Sequence, residues 1–144
     1  MKINKAQWLK SLQKPSRYRG QKGWINVGGK KYYMKSLWER NYARYLNFLK
    51  DCKSIKDWEY EPFTFLFDAI RSGTRTYKPD FKVYENNGKY VWHEVKGWMD
   101  SRSFTKLKRM AKYFPNERIL LIDKEQYYAI ARQVKKLIPN WETI

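Results

Sequence analysis

The stretch that decides the fold is Thr76-Tyr77-Lys78-Pro79-Asp80-Phe81-Lys82-Val83-Tyr84, then Glu85-Asn86-Asn87-Gly88-Lys89, then Tyr90-Val91-Trp92-His93-Glu94-Val95-Lys96. Two β-prone segments flank an Asn-Asn-Gly turn, so the sequence predicts a hairpin over 76–96. Side chains alternate faces along a strand. Glu94 and Lys96 therefore share a face with Trp92, while Val91, His93 and Val95 take the other. The place of Asp80 depends on the turn. A two-residue Asn87-Gly88 turn pairs Asp80 with Val95, on the wrong face for Glu94. A three-residue loop, Asn86-Asn87-Gly88 with a left-handed Gly88, pairs Asp80 with Glu94, and a bulge near Pro79 has the same effect.

Two carboxylates and a lysine on one face are what phosphodiester hydrolysis needs. The reaction requires charge neutralisation at the phosphate, an activated water and a stabilised leaving group. A divalent cation held by a few carboxylates supplies these. Asp80 and Glu94 are the expected core ligands. Lys96 is expected to orient or deprotonate the water, or to hold transition-state charge. His93, on the opposite face, is read as a core histidine.

The rest of the chain extends this reading. The 144 residues suit one domain, and the formal charge is +17. Residues 1–35 hold ten basic side chains and no acidic one. The expected organisation is a basic arm over residues 1–23, with a short helix around Ala6–Leu12, and a single domain over 24–144. Such an arm favours a polyanionic partner, and nucleic acid over membrane, since no apolar run is long enough to span a bilayer or serve as a signal segment. Cys52 is the lone cysteine, which excludes an internal disulfide and favours a cytoplasmic setting.

Trp24–Val27 and Lys31–Met34 flank Gly28-Gly29 as a second hairpin. Ser36 opens a helix with Glu39 three residues on, the pattern of a capping box. Trp38, Tyr42, Tyr45, Leu46 and Leu49 form its apolar stripe, with Glu39 at the margin. If that helix packs over the sheet, Glu39 adds a further carboxylate. Trp58–Phe67 reads as one strand with Pro62 at an irregularity, and Asp68–Arg75 as a loop. Ser101–Phe114 reads as a helix with Phe104, Leu107, Ala111 and Phe114 inward and Arg102, Lys106 and Arg109 elsewhere. Arg118–Ile122 reads as a buried strand and Lys124–Ile138 as the last helix. The fold class expected is α/β, a small mixed sheet flanked by helices. Lys14, Arg17, Arg19 and Lys22 of the arm, Trp98 just past the hairpin, and Arg102, Lys106 and Arg109 are the expected DNA contacts.

Pro79-Asp80 followed by Glu94-Val95-Lys96 resembles the PD-(D/E)xK nuclease superfamily, in which a helix-borne acid upstream, here Glu39, is common. More narrowly, Ser36-x-x-Glu39, Trp58-Glu59-Tyr60-Glu61, Thr76-Tyr77-x-Pro79-Asp80-Phe81 and Glu94-x-Lys96-Gly97 with Asp100-Ser101 resemble the phage-type junction-resolving endonuclease I, over roughly residues 36–122. The resemblance implies a restriction-endonuclease-like core, Mg²⁺ or Mn²⁺ as cofactor, and the Val95 carbonyl as an added metal contact. It further implies a homodimer acting on branched or distorted duplex DNA, such as a Holliday junction, in the host cytoplasm if the gene is a phage's. Tyr18-Arg19-Gly20 ahead of Ser36-x-Trp38-Glu39 is also similar to phage head-completion nucleases. The rival expectation is therefore a non-catalytic nucleic-acid-binding or phage packaging protein on the same fold.

Overall fold

A computed structural model describes residues 21–143. The expected Ala6–Leu12 helix and the arm residues Lys14, Arg17 and Arg19 lie outside them. The described chain is a mixed α/β structure with a small mixed sheet and three helices.

Strands β1 (Gly23–Val27) and β2 (Lys30–Met34) form the first hairpin. Its two turn residues, Gly28 and Gly29, both have positive φ, at 59° and 76°, as a turn matched to strand twist requires. Helix α1 (Leu37–Asp51) follows, and the Ser36 hydroxyl caps it by accepting from Glu39 N at 3.1 Å.

The central sheet has the order β3–β6–β7–β8, made of β3 (Asp57–Tyr60), β6 (Phe81–Tyr84), β7 (Tyr90–Val95) and β8 (Ile119–Ile122). The first two pairings are antiparallel and β7–β8 is parallel. A parallel return needs a crossover, and α2 (Ser101–Tyr113) supplies it. Helix α3 (Lys124–Val134) closes the domain behind an Asp123–Gln126 capping box.

Strand alternation sorts the core into two layers. Trp58, Phe81, Val83, Val95 and Ile122 pack with α1, the β1–β2 hairpin and Tyr127 of α3. Trp92, Ile119 and Leu121 pack on the other face with Leu107 and Met110 of α2. That second layer also takes Phe65 and Tyr77 from a separate two-stranded ribbon, β4 (Phe65–Leu66) with β5 (Thr76–Tyr77).

The structure corrects four expectations. The Trp58–Phe67 segment is not one strand: β3 stops at Tyr60, because Glu61 is left-handed with φ 45° and Pro62 has no N–H to give a ladder. Thr76–Tyr77 does not continue into β6; the chain leaves the ladder at Lys78–Pro79–Asp80 and pairs with β4 instead. Met110, not Ala111, takes the inward position on α2, and Ala111 is exposed. The last helix ends at Val134 and a tight turn carries Ile138 into the core.

The register of the β6–β7 hairpin positions the site. Phe81 pairs with His93, Lys82 with Trp92, Val83 with Val91 and Tyr84 with Tyr90. Glu85 N donates to Lys89 O at 2.8 Å, leaving Asn86-Asn87-Gly88 as a three-residue loop with Gly88 at φ 85°. One step beyond Phe81–His93, Asp80 stands opposite Glu94.

Candidate metal centre

Three carboxylates converge where α1, β3 and β6 meet. Glu39, Glu61 and Asp80 each offer an oxygen, and these oxygens lie within 4.8 Å of one another. Glu39 comes from the first turn of α1: its backbone N–H donates to the Ser36 cap, and its carboxylate, instead of closing a capping box on Ser36 N, faces the cluster. Its Oε2 accepts from the Tyr60 hydroxyl at 2.7 Å and from Lys35 N at 3.3 Å. Glu61 N donates to Asp80 O at 2.8 Å, which carries the β3–β6 pairing one step past its regular end. The left-handed backbone at Glu61 breaks strand alternation there and brings its carboxylate beside Asp80. A non-glycine residue in that region costs about 1 kcal/mol and is held only where neighbours fix it.

Asp80 is buried, and its Oδ2 accepts from Val95 N at 2.8 Å. Glu94 is not in the three-carboxylate group. It sits beside it, with Oε2 accepting from the Tyr77 hydroxyl at 2.9 Å and from Asp80 N at 3.2 Å. Val95 meets the site through its N–H, and this is the contact that holds Asp80 in place.

Burial, then the charges of Glu94 and Glu39, push the Asp80 carboxyl well above the usual range. Burial also raises Glu94, against the opposing pull of Lys96, the Tyr77 hydroxyl and the Asp80 N–H. Tyr77 and Tyr60 are pushed up by burial and by the carboxylates they serve, so both stay hydroxyl donors. Lys35 Nζ lies 2.6 Å from Glu61 Oε1. Burial works against the Lys35 charge, but Glu61, Asp80 and Glu39 outweigh it and hold the ammonium firmly protonated.

A cavity of about 100 Å³ opens beside Glu94, lined by Tyr77, Met99 and Ser103 and ringed by Lys35, Lys78, Lys96 and Lys106. The donor set fits a hard divalent cation: oxygen ligands only, from several carboxylates.

The expected site residues thus separate. Asp80, Glu94, Lys96 and Glu39 come to one end of the sheet. Lys106 lines the cavity, and burial and Arg102 lower its pKa. Lys22 and Arg102 are exposed, and Trp98 is exposed just past β7. Arg109 is half-buried and its guanidinium donates to Thr74 O, so it pins the loop before β5. His93 is buried on the far face, with Nδ1 2.6 Å from the Tyr42 hydroxyl.

Glu61 stands in the Trp58-Glu59-Tyr60-Glu61 likeness, but neither it nor Lys35 or Lys78 carries an expected site role in the sequence. Glu61 precedes a proline, which signals a strand irregularity but not a left-handed turn. The two lysines are lost among many in a lysine-rich chain. Comparison with models of known protein families finds no match for this chain, and comparison with curated proteins finds none either.

Proposed function

We propose that this chain is a metal-dependent DNA endonuclease with a restriction-endonuclease-like core, hydrolysing phosphodiester bonds in branched or distorted duplex. The observation that carries the reading is the convergence of Glu39, Glu61 and Asp80 beside Glu94 and Lys96 at one end of the sheet. The order of elements supports it too: a helix-borne acid, an antiparallel trio, a crossover helix and a parallel fourth strand.

Asp80, Glu39 and Glu61 would hold Mg²⁺ or Mn²⁺, with Glu94 alongside. When bound, such an ion neutralises phosphate charge and makes its water more acidic. The protein's own groups do the rest. Tyr77 and the Asp80 N–H fix Glu94, Tyr60 fixes Glu39, and the Val95 N–H fixes Asp80. Lys96, on the cavity wall, stabilises charge on the phosphoryl oxygens or orients the attacking water. Lys35, Lys78 and Lys106 attract the polyanionic backbone into the same cavity.

The test is incubation of the protein with supercoiled plasmid and with a four-way junction, with and without Mg²⁺. Metal-dependent nicking, faster on the junction, supports the reading. Tight binding without cutting in the presence of Mg²⁺ would replace it with a non-catalytic nucleic-acid-binding protein.

A further inference from the structure

The β1–β2 hairpin has a buried face and an exposed one. Ile25, Val27 and Met34 point into the core. The other face carries Trp24 and Asn26 on one strand and Lys31 and Tyr33 on its partner, in the registers Trp24–Tyr33 and Asn26–Lys31. Lys22 and Lys35 continue the same alternation at the ends of the two strands, and both are exposed. Trp24 is 64% exposed and Tyr33 50%. Their rings meet edge-on, with centroids 5.2 Å apart, and Lys31 Nζ lies 4.8 Å from the Trp24 ring centroid.

Two large aromatic rings exposed on one face of the hairpin form a surface that core packing does not explain. The charge around them selects the occupant. Residues 21–38 contain no carboxylate; Lys31 lies over the Trp24 ring, and Lys22 and Lys35 fall on the same face by strand alternation. An apolar protein partner would meet too small an apolar patch and too many ammonium groups. A nucleic-acid strand offers what fits: flat bases for the rings and phosphates for the lysines. The strip is also continuous with the cleft, because Lys35 at its end contacts Glu61 of the acidic cluster.

We propose that this face is a stacking platform for unpaired bases of single-stranded DNA, with Trp24 and Tyr33 as the stacking rings and Lys31 and its neighbours on the flanking phosphates. The inference goes beyond the cleavage reading, and it is measured without metal, so a protein that binds but never cuts leaves it standing.

The experiment is fluorescence anisotropy of the full-length protein in EDTA, with labelled oligodeoxythymidine and with an abasic strand of equal length. Trp24→Ala should weaken binding to oligodeoxythymidine about tenfold and leave the slope of affinity against salt unchanged. On the abasic strand Trp24→Ala and wild type should bind alike. Trp24→Phe should restore most of the loss, and Lys31→Ala should flatten the salt slope instead. Tyr33→Ala should behave as Trp24→Ala does and serves as the independent variant should either fold poorly. Wild-type affinity in both aromatic variants, or an equal loss on the abasic strand, would overturn the proposal.

Discussion

The Asp80 backbone N–H donates to Glu94 Oε2 at 3.2 Å, while the Asp80 carboxylate accepts from the N–H of the residue after Glu94 at 2.8 Å. Each acid is thus tied to the other's strand. This exchange takes the place of a regular ladder step where the chain bends out of β5 into β6. It holds two carboxylates together that burial and mutual repulsion would otherwise drive apart.

That arrangement has a stability signature. The Asp80 carboxyl sits well above its usual range through burial and the charges of Glu94 and Glu39. A raised folded-state value means stability that is full below the unfolded pKa and lost as pH rises through the folded one. At neutral pH and without metal, Asp80→Asn should therefore be more stable than wild type, by on the order of 1 kcal/mol or more. Added Mn²⁺ should raise the melting temperature of wild type and leave the variant unmoved. Melting curves in EDTA and in Mn²⁺ decide it; an Asp80→Asn protein that melts lower in EDTA would contradict the electrostatic account.

The chemistry has its own signature. Asp80→Asn, Glu94→Gln and Lys96→Ala should each lose cleavage by two to four decades, on the order of 3–5 kcal/mol of transition-state stabilisation, with DNA binding largely retained. Glu39→Gln should lose less rate but also some stability, because Glu39 serves both the cap of α1 and the cluster. Single-turnover rates beside metal-free binding constants separate these effects. A near-wild-type rate in any variant removes that residue from the mechanism.

Glu61 makes a sharper case, because its backbone and its side chain pull in opposite directions. Its φ of 45° is a conformation that glycine adopts at no cost. Glu61→Gly should relieve about 1 kcal/mol of backbone strain while deleting the Lys35 ion pair and one metal oxygen. The expected outcome is a variant near wild-type stability in EDTA that needs far more Mg²⁺ for half-maximal cleavage. Glu61→Gln, which keeps the strain, should lose metal affinity as well and melt no higher than wild type. An unchanged Mg²⁺ requirement in both would assign Glu61 to structure alone.

Much of this was legible in the sequence, for identifiable reasons. Short-range chemistry wrote the Gly28-Gly29 turn, the Ser36 cap and the left-handed Gly88, and each holds in the structure. The Asp80–Glu94 pairing could be narrowed to two registers, and the three-residue loop selects the one that joins them. Glu61 was not legible, because no propensity places a glutamate in a left-handed turn; the surrounding tertiary structure imposes it. The β4–β5 ribbon was hidden likewise, since Thr76–Tyr77 carries the same β-prone signal whether it continues into β6 or pairs with β4. On α2, the spacing of Phe104, Leu107 and Phe114 fits Ala111 as well as Met110. In the structure Met110 is the one that enters the layer with Phe65 and Phe67.

His93 offers a pH test remote from the cluster. Burial lowers its pKa to about 4, so the ring is neutral, with Nδ1 hydrogen-bonded to the Tyr42 hydroxyl at 2.6 Å. The unfolded chain binds a proton at about 6.5. A lowered folded-state value gives stability that is full above the unfolded pKa and lost as pH falls towards 4. The cost between those limits is about 3 kcal/mol. In His93→Gln the fall in stability over this window should be shallower by about that amount, as read from denaturant titrations at pH 7, 5.5 and 4.5. Parallel curves for the two proteins would mean that the ring is protonated in the fold.

The basic arm should set affinity rather than shape preference. Deleting residues 1–22 removes Lys2, Lys5, Lys10, Lys14, Arg17, Arg19 and Lys22. Binding to duplex DNA falls with salt at a slope of about −0.9 per phosphate neutralised. The truncated protein should therefore show a flatter salt slope and weaker binding to every DNA shape. The arm's lysines and arginines act as general phosphate contacts, and shape must be read by the folded body, so the ratio of junction to duplex affinity should barely change. That ratio belongs to the folded body, where the cavity and its four lysines sit. Paired salt titrations of full-length and truncated protein, on a junction and on a linear duplex, give both quantities. An unchanged slope would show that the arm does not touch phosphate, and a lost junction preference would place the arm within the recognition surface.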